Sequence, residues 1–209
     1  MLEPINASLI HFICYWTMVY IYDKKVPKKS LITSSISSFK NQIFYTFPLT
    51  FMFFKYYPVI HDDILISLCY LPLIVSISDI YFYITHKPLH SKLLFHLHKF
   101  HHTGEIHVAK SLDANGFEHI FGNLGSFMSG PILLWYNGLI INIYVLNLWI
   151  AIATINTCVS HSNKQCWLDN GDHLNHHKYY KYNYGFGFYI VDKLTGTYKY
   201  FIHKRDLSE

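Results

Sequence analysis

Charge is scarce in this chain: Asp, Glu, Lys and Arg make up 14% of its 209 residues, against about 25% in ordinary soluble domains. With 51% hydrophobic and 18% aromatic residues, that shortage argues against a water-soluble surface and points into a bilayer. Cysteine is sparse as well. Cys14, Cys69, Cys158 and Cys166 have no C-x-x-C spacing, which excludes a disulfide framework and a zinc ribbon; they read as small hydrophobes in a reduced protein. Phosphate-binding G-x-x-x-x-G-K-[ST], H-E-x-x-H and G-x-S-x-G motifs are missing, and so are internal repeats. A net charge of +4, from scattered lysines, gives no footprint for nucleic acid and suits lipid headgroups instead. The first apolar stretch lacks a basic segment before it and a small-residue cleavage site after it, so an uncleaved span is expected.

The apolar segments set out a topology. Ser8 to Tyr22 ends in aromatics suited to a membrane interface, and the lysines of Lys24 to Lys29 follow, marking a cytoplasmic loop by the positive-inside rule. Ile43 to Val59 is a second apolar run, with Pro48 able to kink it. The loop His61 to Asp63 carries no Lys or Arg and is expected on the opposite side. Ile64 to Ile84 is a clean span. Ile120 to Trp135 and Leu139 to Val159 flank the turn dipeptide Asn137-Gly138 and read as a helical hairpin. The last fifty residues hold turn signals at Asn170-Gly171, Tyr184-Gly185 and Thr195-Gly196, and no span. The expectation is a single domain over residues 1–209. It is an all-α integral membrane bundle of about four to five transmembrane helices, with a cytosolic histidine-rich helical cap.

What is abundant is histidine. Of 15 in the chain, eight fall in three clusters: His86 and His90; His98, His101 and His102; His173, His176 and His177. Residues three and four apart share one helix face, so each cluster turns two or three imidazoles the same way. A lone histidine is usually a solvated or hydrogen-bonded side chain, and a pH-sensing surface has no need of this register three times. Neutral imidazole is the commonest ligand for iron, zinc and copper, and eight rings exceed the four to six positions of one ion. Two metals are the natural reading. No cysteine accompanies the rings, which favours redox-active iron over structural zinc. Asp79, at the edge of a span, is costly to bury and is a candidate supporting group.

The ordered set H-x-x-x-H, H-x-x-H-H, H-S-N, D-H-x-x-H-H, N-Y-G and D-x-x-x-G-T stands at His86–His90, His98–His102, His161–Asn163, Asp172–His177, Asn183–Gly185 and Asp192–Thr197. It resembles the fatty acid hydroxylase/sterol desaturase superfamily. The resemblance implies two irons on a cytosolic cap, O2 as co-substrate, and a membrane lipid as the molecule oxidised. It also implies residence in the endoplasmic reticulum or another intracellular membrane, and electrons from a separate cytochrome b5-type donor with its NAD(P)H reductase. Carried over by position, the ligands are His86, His90, His98, His101, His102, His161, His173, His176 and His177. Supporting positions are Asp79, Glu118, His119, Asp172 and Asn163. Glu118 resembles a glutamate that follows the second cluster in the family; the histidine usual three residues before it is Asn115 here. The closing N-Y-G and D-K-L-T-G-T are closer to sterol-acting members, which gives a lean to a sterol-type substrate. A fatty acyl or sphingolipid hydroxylase is the alternative within the superfamily. A membrane metal-binding or transport protein is the alternative outside it, but one that would carry its ligands near the bilayer midplane; here lysines such as Lys87, Lys99 and Lys178 flank the clusters.

Overall fold

The computed structural model describes residues 2–162 and 171–200; Asn163, Cys166, the Asn170-Gly171 turn's first residue and the tail beyond Tyr200 lie outside them. Among the described residues every regular element is helical, and the only pairing of extended backbone is an isolated bridge between Ile60 and Asn142. Three helices are long and apolar enough to cross a membrane: Glu3–Tyr22 (α1), the nearly continuous pair Ile64–Cys69 (α4) and Leu71–Leu89 (α5), and Ile143–Ser160 (α9). Their side chains are distributed as a membrane solvent dictates. Ile13, Leu65 and Phe44 are exposed, whereas His11, Gln42 and Ser67 are buried and hydrogen-bonded. In lipid the polar group is the one that must find a partner inside.

The expected spans Ile43–Val59 and Ile120–Trp135 are helical but interrupted. Lys28–Asn41 (α2) runs through a π-turn at Gln42–Thr46 into Phe47–Tyr56 (α3). Gly116–Glu118 (α7) runs through a second π-turn at His119–Leu124 into Gly125–Tyr136 (α8). The two π-turns face each other, with the Thr46 hydroxyl 2.9 Å from His119 Nε2. Such turns add a residue to the helical register and re-aim side chains. Pro48 sits just past the π-turn, at the point where the helical register changes.

α1 packs along α9 and α5 along α8. The second pair meets closely at Gly130, where a Cβ would lie 2.8 Å from Ile74 Cγ2 and 3.0 Å from Ile74 Cα; small residues at crossings are the usual means of helix association in lipid. At one end of the bundle the loop before α4 meets the α8–α9 turn: Ile143 N donates to Ile60 O at 3.0 Å and Asn142 Nδ2 to Asp62 O at 2.9 Å. Gly138, at φ +80°, makes that turn, as Asn137-Gly138 predicts. At the other end, Asp23 begins the lysine loop and accepts hydrogen bonds from Val108 N (2.9 Å) and Ala109 N (2.7 Å). The lysine loop is thus tied to the histidine-bearing cap, and His61 to Asp63 lie at the opposite end.

Candidate metal centre

The C-terminal end of α5 carries His86 and His90. A short turn leads to Phe95–His102 (α6), with His98, His101 and His102. His161 caps α9, and Asp172–Tyr179 (α10) carries His173, His176 and His177. All nine converge, in two adjoining groups. His86, His90, His98, His102 and His176 form one, and His101, His161, His173 and His177 the other; within each group the nitrogens lie within 4.8 Å of one another. The grouping cuts across the sequence clusters. Neighbours on a helix point about 100° apart while i and i+4 align, so His98 pairs with His102 and His173 with His177, and adjacent His101 and His176 cross to the other group.

Hydrogen bonds fix several ring orientations. His86 Nδ1 faces Tyr184 O at 2.7 Å, His176 Nδ1 faces Tyr182 O at 2.7 Å, and His161 Nδ1 faces Thr157 O at 2.9 Å. A carbonyl only accepts, so each of these Nδ1 atoms carries the hydrogen and leaves Nε2 with its lone pair. His98 Nδ1 meets Glu118 Oε1 at 2.7 Å. The free nitrogens then crowd: His86 Nε2 is 3.0 Å from His98 Nε2, His102 Nε2 is 2.8 Å from His98 Nε2, and His177 Nε2 is 3.1 Å from His161 Nε2. Among the described residues, His176 Nε2 is buried with no partner, and so are the Nδ1 atoms of His101, His102, His173 and His177. Two nitrogens each about 2.1 Å from one cation, at right angles, stand about 3 Å apart. Lone pairs so placed repel unless a cation sits among them, and the donor set fits metal ions.

The electrostatics agree. Burial, then the charge of neighbouring imidazoles, lowers His102 to about 3, and burial, helped by the charges of Lys110 and nearby imidazoles, overrides the Thr157 carbonyl to lower His161 to about 4. His101, His173, His176 and His177 are held well below the usual range for the same two reasons. The rings are neutral at physiological pH, the form that binds metal. Burial also pushes Glu118 well up, with the Asp113 charge adding to it; a cation on His98 Nε2 would reverse that balance and favour the carboxylate.

The supporting residues divide. Glu118 holds a ring directly. Asp79 instead clasps the loop after α10, accepting from Phe186 N (2.9 Å) and Ile190 N (2.6 Å). Asp172 opens α10 and accepts from Tyr198 Oη at 3.1 Å. His119 lies in neither group and bonds to Thr46. Asn115 caps α7, accepting from Glu118 N at 2.9 Å, and its Nδ2 donates to Leu97 O. Asp192, read only as part of a motif, turns out to order the ligands at one remove. It accepts from Tyr184 N (3.0 Å), Gly185 N (2.6 Å) and Thr197 Oγ1 (2.7 Å), fixing the peptide whose carbonyl orients His86. The carbonyls of Tyr182 and Tyr184 carry no side-chain signature; the nearby motif residues were the only sign of them.

A narrow cavity reaches both groups, lined by His86 and His98 from one, His101, His161 and His173 from the other, and closed by Phe82, Phe127 and Phe186. A family profile described as fatty acid hydroxylase matches residues 71–197, from the start of α5 to the clasp threonine. The chain belongs to the fatty acid hydroxylase family. That family sits in the fatty acid hydroxylase/sterol desaturase superfamily, and its matched region holds all nine histidines. No curated protein and no solved structure matches the chain. Helices α1 to α4 lie outside the family match.

Proposed function

We propose that this chain is an iron- and O2-dependent oxidoreductase of an intracellular membrane that hydroxylates or desaturates a lipid C–H bond, with one iron in each histidine group. The observation that carries the reading is the pair of adjoining, neutral, all-nitrogen groups at the end of an apolar bundle, inside a fatty acid hydroxylase domain. Iron held by these nitrogens supplies dioxygen chemistry that side chains lack.

The chain's own residues do the rest. Tyr182, Tyr184, Thr157 and Glu118 hold the ring tautomers that leave nitrogen lone pairs facing inward. Phe82, Phe127 and Phe186 give the cavity beside both groups an apolar part, and polar residues such as Asn123, Ser126 and Asn156 complete its lining. The groups lie at one end of the bundle and not in mid-span, which favours a catalytic cap over a transport path. The reading places that cap on the cytosolic side of the endoplasmic reticulum or a similar membrane, where a cytochrome b5-type donor and its NAD(P)H reductase deliver electrons. The lean to a sterol-type substrate rests on the closing motifs.

Lipid profiling tests it. A host expressing the chain is compared with one expressing a His173→Ala, His176→Ala variant, which removes one ligand from each group. A hydroxylated or newly unsaturated sterol present only with the intact chain supports the whole reading. A modified acyl chain with sterols untouched removes the sterol lean; identical lipids under adequate iron, oxygen and reductase remove the enzyme.

A further inference from the structure

A second cavity lies within the bundle, outside the histidine groups. Its wall is apolar, from Phe53, Leu124, Phe127, Trp149 and others, except for His11 and two threonines, Thr46 and Thr50. His11 is 4% exposed and stands near the middle of α1. A polar side chain kept at that depth is costly unless something uses it.

Its hydrogen-bonding state follows from its neighbours. Indole Nε1–H only donates, and Trp16 Nε1 donates to Gln42 Oε1 at 2.9 Å. That fixes the Gln42 amide, whose Nε2 is then the atom facing His11 Nδ1 at 3.4 Å. His11 Nδ1 accepts, so the ring hydrogen is on Nε2. That N–H has no protein partner among the described residues, and the ring lines the cavity. The cavity is about 50 Å³, room for a functional group and a few carbons where one water takes about 10–15 Å³ on the same measure. It shares Leu124 and Met128 with an apolar groove of about 560 Å³ on the lipid-facing side, beside exposed Phe121, Ile132 and Leu133. It shares Phe127 with the cavity at the histidine groups.

We infer that this cavity is a lipid-recognition site in which His11 Nε2–H donates to an uncharged oxygen acceptor, a hydroxyl or carbonyl, of a lipid whose tail lies in the groove. Among the described residues the lining offers no Lys or Arg to balance a carboxylate or phosphate, which disfavours charged headgroups. Met128 and Leu124 line both the cavity and the groove, and Phe127 lines both the cavity and the pocket at the histidine groups. The inference rests on the lipid-oxidising reading and narrows its substrate to neutral, oxygen-bearing lipids. Because His11 lies outside the family match, it is a feature of this chain's N-terminal helix.

The test uses the full chain in lipid nanodiscs, without reductant, so that binding is read apart from turnover. Diazirine probes are a sterol alcohol, a fatty acid methyl ester, the matching free acid and a matching alkane. The expectation is that the sterol or the ester labels peptides containing Met128 or Trp149, and which one does identifies the source. His11→Phe lowers that labelling about three- to tenfold, the loss of one neutral hydrogen bond. His11→Gln, which keeps a donor, retains it. Metal content is expected to stay the same in all three proteins. Labelling by the alkane equal to that of the ester and sterol overturns the inference, as does stronger labelling by the free acid or the same labelling in a folded, metal-replete His11→Phe protein. If His11→Phe does not fold, competition of the four lipids on the unaltered chain decides between the same outcomes. Failure to find oxidised lipid in a host sinks the enzyme reading and leaves this labelling result standing.

Discussion

Replacing Gly185 with alanine tests whether the loop after α10 sets the metal affinity. A Cβ there would meet Asp79 Oδ1 and lie 3.0 Å from Asp192 Oδ2. Both carboxylates are already committed, Asp79 to Phe186 N and Ile190 N, Asp192 to Tyr184 N, Gly185 N and Thr197 Oγ1. Neither can retreat without releasing backbone donors, so the loop is the part that moves. Overpacking of this kind costs about 1–3 kcal/mol, enough to lower the melting temperature without abolishing the fold. The larger effect falls on the five-histidine group, because the displaced segment carries both carbonyls that orient it, Tyr184 on His86 and Tyr182 on His176. Loss of one such outer partner weakens metal binding about 10- to 100-fold. The four-histidine group takes no hydrogen bond from residues 182–185 and keeps its ion.

The assay is iron per chain across a chelator series, with thermal unfolding measured in parallel. On the proposed reading of one iron in each group, unaltered protein is expected to lose both together or in close succession; Gly185→Ala is expected to lose one at chelator levels about 10- to 100-fold lower. Gly122→Ala serves as control, since its Cβ would meet only Glu118 Cγ at an ordinary 3.8 Å. Two irons retained with unchanged affinity in a Gly185→Ala protein would refute the claim that this loop orients the ligands.

Glu118→Gln keeps an acceptor for His98 Nδ1 but removes its charge, so iron affinity is expected to fall about tenfold, and further in Glu118→Ala; equal affinities in all three contradict the role assigned to that carboxylate. In the metal-free chain, stability is expected to fall as pH drops below 6.5, because unfolded histidines then take up protons that buried ones refuse, and to go on falling until the native rings titrate near 4 for His161 and 3 for His102. Thermal melts from pH 7.5 to 4.5 check this, and a flat profile counts against neutral burial. Glycosylation acceptor sites inserted at His61–Asp63 or Asn137–Gly138 are expected to be modified, and sites in Lys24–Lys29 are not; the reverse pattern inverts the topology.

The three histidine clusters were legible because helical spacing is written directly in the chain, and so was the hairpin about Asn137-Gly138. What the sequence left open was the partition. Spacing pairs His98 with His102 and turns His101 aside, yet the crossing of α5, α6 and α10 decides which histidines His101 meets, namely His161, His173 and His177. Asp79 was visible as an expensive carboxylate, but its use is non-local: the atoms that satisfy it are backbone N–H groups more than a hundred residues away. The two π-turns left no pattern either, since Gln42–Thr46 and His119–Leu124 read as ordinary helix. They meet in the fold through the Thr46–His119 contact, which joins residues 73 positions apart.

The partition has a mechanical consequence. Each of α6 and α10 contributes to both groups: His98 and His102 to one and His101 to the other from α6, His176 to one and His173 and His177 to the other from α10. Neither helix can shift to suit one ion without moving ligands of the other, because within two helical turns the side chains are rigidly related. α5 and His161 differ. Each serves a single group, α5 through His86 and His90 and the end of α9 through His161, and each is rooted in a long apolar helix. The bundle thus fixes one side of each group independently, while α6 and α10 couple the two across the middle. Loss of a ligand from α5 is therefore expected to weaken mainly one ion, and a shift of α10 itself, beyond the loop movement that Gly185→Ala produces, to disturb both.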